Sequence, residues 1–162
     1  VTDIPEVTEA IPGIPLYTDE YSLTLRYSLA GLLEKTLSKR AYLKSGAYLV
    51  IEPTEAMTVI DVNSGKSIKG KNAEEQFLKI NIEAAKEIAR QLRLRNISGI
   101  VMIDFINMKE DAHNQELIKK LAEYVRMDPV RTTVVDMTKL GLVELTRQKG
   151  KRALHEVFSE IK

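Results

Sequence analysis

The spacing of apolar residues changes several times along the chain, and each change marks an element. Leu25, Leu29, Leu32, Leu33 and Leu37 recur at steps of three and four, or side by side, which predicts a helix over 20–40. Gly31 inside it costs about 1 kcal/mol relative to Ala. The segment AYLVIEPTEAMTVIDVN, residues 47–63, predicts two strands around a tight turn at Pro53, whose ring presets φ and removes a ladder donor. Leu78, Ile82, Ala85, Ala89 and Leu92 form one stripe and predict a long helix over 74–95. SGIVMIDF, residues 98–105, is an unbroken apolar run, suited to a central strand covered on both faces. Leu117, Ile118, Leu121 and Val125 predict a second amphipathic helix over 111–126. RTTVVDM and LGLVELTR predict two further strands, and the charged end, 147–162, a short helix. Residues 1–16 carry three of the five prolines and no period, which reads as a linker. The resulting division is a linker over 1–19, one domain over 20–150 and a tail over 151–162. Strand, strand, helix, strand, helix, strand is an α/β pattern: a mixed β-sheet with an N-terminal hairpin and helical crossovers.

Composition narrows the classes without choosing among them. The 162 residues suffice for one domain with a real core. A net charge of +1 does not announce a nucleic-acid partner, so local clusters must carry that argument. The absence of cysteine excludes a disulfide framework and cysteine-ligated zinc within this stretch. No apolar run approaches the roughly 18 residues of a membrane span, and no signal peptide is visible, so a cytoplasmic setting without membrane contact is expected. Val1 in place of Met suggests a piece of something longer.

The candidate chemistry lies where apolar strands end on a charge. TVIDVNSGK, residues 58–66, runs from a strand into Asp61, then Asn, Ser and Gly. Ile103–Asp104 repeats the design, and one long helix joins the two strands. A strand–helix–strand unit is usually a right-handed crossover between parallel strands. If the strands are neighbours, about 4.8 Å apart, both carboxylates emerge at one sheet edge, where open α/β sheets place ligands. Two carboxylates so close repel each other unless a cation sits between them. Magnesium suits, because it takes one or two carboxylates and fills its other positions with water and phosphate oxygens. Asn63, two residues after Asp61, points the same way in extended backbone and could bond a water or phosphate oxygen. Asp, Asn, Ser and Gly are also ordinary turn residues, and Asp136 ends VVD in the same style. The matched placement of Asp61 and Asp104 is what sets that pair apart.

Basic residues gather at Lys39, Arg40 and Lys44, at Lys66, Lys69 and Lys71, at Arg90, Arg93 and Arg95, and at Arg147, Lys149, Lys151 and Arg152. Such groups bind phosphate backbones without reading sequence. Arg93 and Arg95 are equally explained by a helix C-terminus. The loop of Lys66, Lys69 and Lys71 follows Asp61 directly and carries most weight. Phe77, Phe105 and Tyr124 read as core residues, and the isolated His113 and His155 receive no role.

YLKSGAYLVIEPTEAMTVIDVNSGK, NIEAAKEIARQLRLRNISGIVMIDFINM and LGLVELTRQK together resemble the catalytic core of the ribonuclease E/G family over about residues 20–149. The resemblance implies a deoxyribonuclease I-like subdomain of a magnesium-dependent endoribonuclease acting on single-stranded RNA in RNA processing and decay. It implies Asp61 and Asp104 as metal ligands, with manganese a substitute for magnesium, and Asn63 as a supporting catalytic residue. Lys66, Lys69, Lys71 and Arg131 are the expected RNA contacts. Asp136 matches no functional position. Family enzymes continue into a Cys-containing zinc link that joins protomers. This chain has no Cys, so no zinc is expected here, and assembly into a homo-oligomer would belong to the full-length enzyme. A non-catalytic RNA-binding or assembly module is the alternative. A receiver-like signalling domain is a third class, disfavoured because no acidic pair ends a first strand.

Overall fold

Alternation along the strands decides which side of this molecule is core. The computed structural model describes residues 1–65, 68, 70 and 72–159. The chain divides into two units, Val1–Leu37 and Ser38–Lys162.

The first unit contains three short helices: α1 (Pro5–Ala10), α2 (Leu23–Arg26) and α3 (Leu29–Leu37). A helix with Pro at its first turn thus stands inside the segment expected to be a linker. The single helix expected over 20–40 is interrupted at Ser28, whose φ is +48°. The Ser22 hydroxyl accepts from the Leu25 amide at 3.3 Å and caps α2. Leu25, Leu29 and Leu32 are exposed, so no burial drives the stripe into one continuous helix.

The second unit is built on six strands: β1 (Arg40–Tyr42), β2 (Tyr48–Pro53), β3 (Thr58–Asn63), β4 (Gly99–Asp104), β5 (Thr132–Met137) and β6 (Leu142–Arg147). Their order is β1-β2-β3-β4-β6-β5. β3 and β4 are parallel, and the other neighbouring pairs are antiparallel. The fold is therefore mixed α/β. Between β2 and β3, the Thr54 hydroxyl donates to the Met57 carbonyl at 2.7 Å, and Pro53 closes the strand instead of sitting in the turn. β1 was not expected: only its first residue, Arg40, lay in the predicted helix, and pairing with β2 extends the sheet by residues 40–42.

α4 (Ala73–Leu94) carries the chain from β3 to β4, and α5 (Asp111–Val125) from β4 toward β5. Both crossovers step in the same direction along the sheet, so right-handedness puts both helices on one face. Leu49, Ile51, Ile60, Val101, Ile103, Val143 and Leu145 point to that face. They form one core with Ala84, Ile88 and Leu92 of α4 and Leu117, Leu121 and Val125 of α5. The buried side of α4 keeps Ala85, Ala89 and Leu92 of the predicted stripe and adds Ile80, Ala84 and Ile88, while Leu78 and Ile82 are half-buried. The small Ala84, Ala85 and Ala89 let the helix approach the sheet closely. β4 is central but covered on one face only, contrary to expectation: Ile100 is 48% exposed on the other.

α4 ends at Leu94, and Asn96, two residues on, takes φ +49° where glycine is usual. The Ile97 amide donates to the Leu92 carbonyl at 3.0 Å and the Asn96 amide to Arg93 at 3.2 Å, closing the last turn. The Asn96 side chain donates to the Lys151 and Arg152 carbonyls, at 2.8 and 2.9 Å. This fastens the segment leading to α6 (Leu154–Ser159). Among the described residues, no helix is long and apolar enough to cross a membrane.

Candidate metal and RNA site

β3 and β4 bring the two aspartates into direct register: Asp61 is the parallel partner of Asp104. Ile60 and Ile103, one residue earlier, are fully buried, so the next residue on each strand points to the uncovered face. Asp61 is half-buried and Asp104 exposed. Asn63, two residues beyond Asp61, shares that face, and its side-chain amide donates to Asp61 Oδ2 at 2.5 Å. The three residues expected to cooperate are thus brought together. Among the described residues, no group of three or more His, Cys, Asp or Glu could hold a metal. The donor set is two hard carboxylates and a supporting amide. That suits a cation which keeps most of its waters, as magnesium does, rather than one needing an all-protein cage.

α4 holds the segment after β4 and the β1–β2 turn. Asn81 is fully buried; its Nδ2 donates to the Ile106 carbonyl at 2.8 Å, and its Oδ1 accepts from the Ile106 amide at 3.0 Å. Glu74 Oε1 accepts from the Lys109 and Glu110 amides, at 2.7 and 3.1 Å. These bonds, that to Glu110 foremost, hold the Glu74 carboxyl below its ordinary pKa against partial desolvation. Glu83 Oε1 accepts from the Lys44 and Ser45 amides of the β1–β2 turn, at 2.8 and 3.3 Å. Gly65, at φ +70°, closes the turn after Asn63; a Cβ there would collide with the Gly46 carbonyl. Gly65 therefore answers a steric demand, while Asp61 and Asn63 point to the uncovered face. Sequence reading missed Asn81, Glu74 and Glu83. The signal for Asn81 was present: it stands four residues before Ala85 and eleven before Leu92, a polar group in an apolar stripe.

The expected RNA contacts fare differently. Lys66, Lys69 and Lys71 lie outside the described residues. Arg131 is exposed and lines a groove of about 480 Å³ with Gly99, Ile100, Thr133, Thr146, Arg147 and Gln148. Gly99 pairs with Arg147 and Asp104 with Leu142. That groove is thus five residues from the carboxylate pair, roughly 17 Å along the strand. Arg131 is not brought to the aspartates.

Several other basic residues are engaged within the chain. Arg147 is 4% exposed; it donates to Asp128 at 2.8 and 3.3 Å, to Asn96 at 3.0 Å and to the Ile97 carbonyl at 3.0 Å. Burial opposes ionisation of Asp128, but Arg147 and the Val130 amide outweigh it and hold the carboxyl below its usual range. Arg95 is buried and donates to Gln91 at 2.6 Å, and Arg90 pairs with Glu87 at 2.7 Å. Asp136 lies opposite Glu144, apart from the Asp61–Asp104 row.

The sequence model of the Ribonuclease E/G family matches residues 4–150. The chain is 40% identical over 157 residues to Ribonuclease G of Haemophilus influenzae, covering 97% of this chain and 31% of that protein. It is 37% identical over 155 residues to Ribonuclease G of Escherichia coli, covering 96% and 31%. It is 42% identical over 134 residues to Ribonuclease E of a Nostoc species, covering 83% and 20%. The chain belongs to the Ribonuclease E/G family, and it spans about 31% of the length of the Ribonuclease G relatives.

Proposed function

We propose that this chain is the metal-binding catalytic part of an endoribonuclease, hydrolysing phosphodiester bonds of single-stranded RNA in RNA processing and decay. The observation that carries the reading is the in-register Asp61–Asp104 pair on an uncovered sheet face, in a member of a ribonuclease family. Asp61 and Asp104 would hold magnesium, or manganese in its place. The ion would supply charge neutralisation at the phosphate and a bound water of lowered pKa. Asn63 fixes one Asp61 oxygen through its amide and leaves the other free to ligate. Asn81 and Glu74 hold the chain after Asp104, so that carboxylate is presented from a fixed backbone. Arg131, and Lys66, Lys69 and Lys71 on sequence grounds, would contact RNA phosphates away from the cleaved bond.

The test is cleavage of a fluorescent, A/U-rich single-stranded RNA bearing a 5′-monophosphate, with magnesium, with chelator and with Asp104→Asn. Magnesium-dependent cuts should vanish in the variant while its circular dichroism and melting temperature stay near native. Full activity in Asp104→Asn would sink the metal assignment. Coverage of only 31% of the Ribonuclease G relatives favours a second reading, an RNA-binding module that cannot cut alone. RNA retention without magnesium-dependent turnover, even at high protein concentration, would select it.

A further inference from the structure

The uncovered sheet face holds a second feature in register with the carboxylates. Reading across the strands, Asp61 pairs with Val50 and Val50 with Arg40; Asn63 pairs with Tyr48 and Tyr48 with Tyr42. Ala41, between Arg40 and Tyr42, is buried, so both flanking side chains point to the face that Asp61 and Asn63 occupy. The Tyr42 and Tyr48 ring centroids are 5.9 Å apart with planes tilted by 50°. The Arg40 guanidinium carbon sits 5.2 Å from the Tyr48 centroid. Tyr42 is 69% exposed. Two strand spacings, roughly 10 Å, separate the Tyr42 and Asn63 backbones.

We infer that Arg40, Tyr42 and Tyr48 form a stacking platform for an unpaired RNA base next to the phosphate held at the aspartates. The inference rests on the proposed RNA reading of that site. A large exposed aromatic on a short edge strand is poorly explained by stability alone: the pairing of two rings and a cation needs contact, not exposure. A base offers a flat π-face and stacks on an aromatic without a sequence-specific partner. Among the described residues, Arg40 has no carboxylate partner, so its charge remains available to the phosphate of the stacked nucleotide. Asp61 and Asp104 fix where the phosphate goes, and the platform sits to the β2 side of them. From the aspartates the RNA strand therefore extends toward the β1–β2 edge of the sheet.

The test uses this chain and a short single-stranded RNA with 2-aminopurine at successive positions, bound first in chelator, so that no cleavage intervenes, and then with magnesium, which supplies the cation between phosphate and aspartates and lets cleavage be followed. Anisotropy of a terminal dye gives affinity, and 2-aminopurine emission reports stacking. Emission should fall at one position on binding to the native chain. Tyr42→Ala should abolish that change and weaken binding about tenfold or more, the scale of one base–aromatic stack. Tyr42→Trp should restore both. Arg40→Lys should not match the native protein, because an ammonium does not reproduce a stacked guanidinium. Melting of Tyr42→Ala should stay near native, since the side chain is exposed. Equal affinity and an equal emission change in Tyr42→Ala overturn the platform, as does absence of RNA binding by the native chain. Loss of magnesium-dependent cleavage with the stacking signal intact overturns the cleavage reading alone.

Discussion

Replacing Asn81 with Leu tests how the loop after Asp104 is held. The substitution keeps the branching and heavy-atom count of the side chain and suits the helix, so propensity changes little. It removes both bonds to Ile106, at 2.8 and 3.0 Å, and leaves an amide and a carbonyl facing an apolar side chain. Each unsatisfied group costs about 1–3 kcal/mol, and the new leucine returns about 1–2 kcal/mol of apolar burial. The net loss should be about 3 kcal/mol, or roughly 10 °C in melting temperature for a domain of this size. Urea and thermal unfolding read that number. Ile106 is two residues from Asp104, so the magnesium concentration needed for half-maximal cleavage should rise about tenfold, the usual effect of losing a partner behind a ligand. Asn81→Asp separates the contributions further. It keeps an acceptor for the Ile106 amide but buries a carboxyl, whose pKa burial raises, so its stability deficit should shrink as pH falls. A loss below about 1 kcal/mol in Asn81→Leu, with an unchanged magnesium requirement, would refute the reasoning. The loop would then be held by Glu74 and the packing of Phe105.

Breaking the buried pair with Arg147→Ala should cost roughly 3–5 kcal/mol in urea unfolding, because it strands Asp128 without its cation. The Asp128 carboxyl titrates below its ordinary value in the folded chain, so its contribution is complete above about pH 4 and lost as pH falls through the lowered value; an acid-unfolding series should show that limb flattened in Asp128→Asn. Gly65→Ala should lower both melting temperature and cleavage, by forcing the turn after Asn63 away from Gly46; native values for both would show that the turn has another conformation open to it. Arg131→Ala should weaken RNA binding and reduce the salt slope by about one unit, leaving the cleavage rate at saturating RNA unchanged, because its groove lies away from the aspartates.

The parallel β3–β4 unit and its two aspartates were legible because two strong signals coincided: apolar runs ending on a carboxylate, and a long amphipathic helix between them. Handedness and strand spacing then left few arrangements open. That the first half of α4 buries Ile80 and Ala84 in place of Leu78 and Ile82 was not legible, since both choices satisfy helical spacing until the sheet selects a side. β1 was hidden because residues 40–42 are too short a run to show alternation and become a strand only through pairing with β2, a contact no local pattern records. The unbroken run in β4 suggested two covered faces, yet the exposed side is where Asp104 and Ile100 stand. Arg147 read as one of a basic cluster; its role depends on Asp128 and Asn96, 19 and 51 residues away. Tyr42 and Tyr48 are six residues apart, and the turn between them makes them neighbours.

The register of Asp61 against Asp104 also sets where this chain can change length. Side chains alternate sides along a strand, so one residue inserted just ahead of Asp104 within Gly99–Ile103 would turn that carboxylate inward, toward the helices. One residue inserted beyond Asn63, before α4 begins, leaves the phase of both strands intact. Lineages of this chain should therefore accumulate length variation after the strand ends and almost none within them. A mutational scan of single-residue insertions would draw that boundary at the last paired residue of each strand.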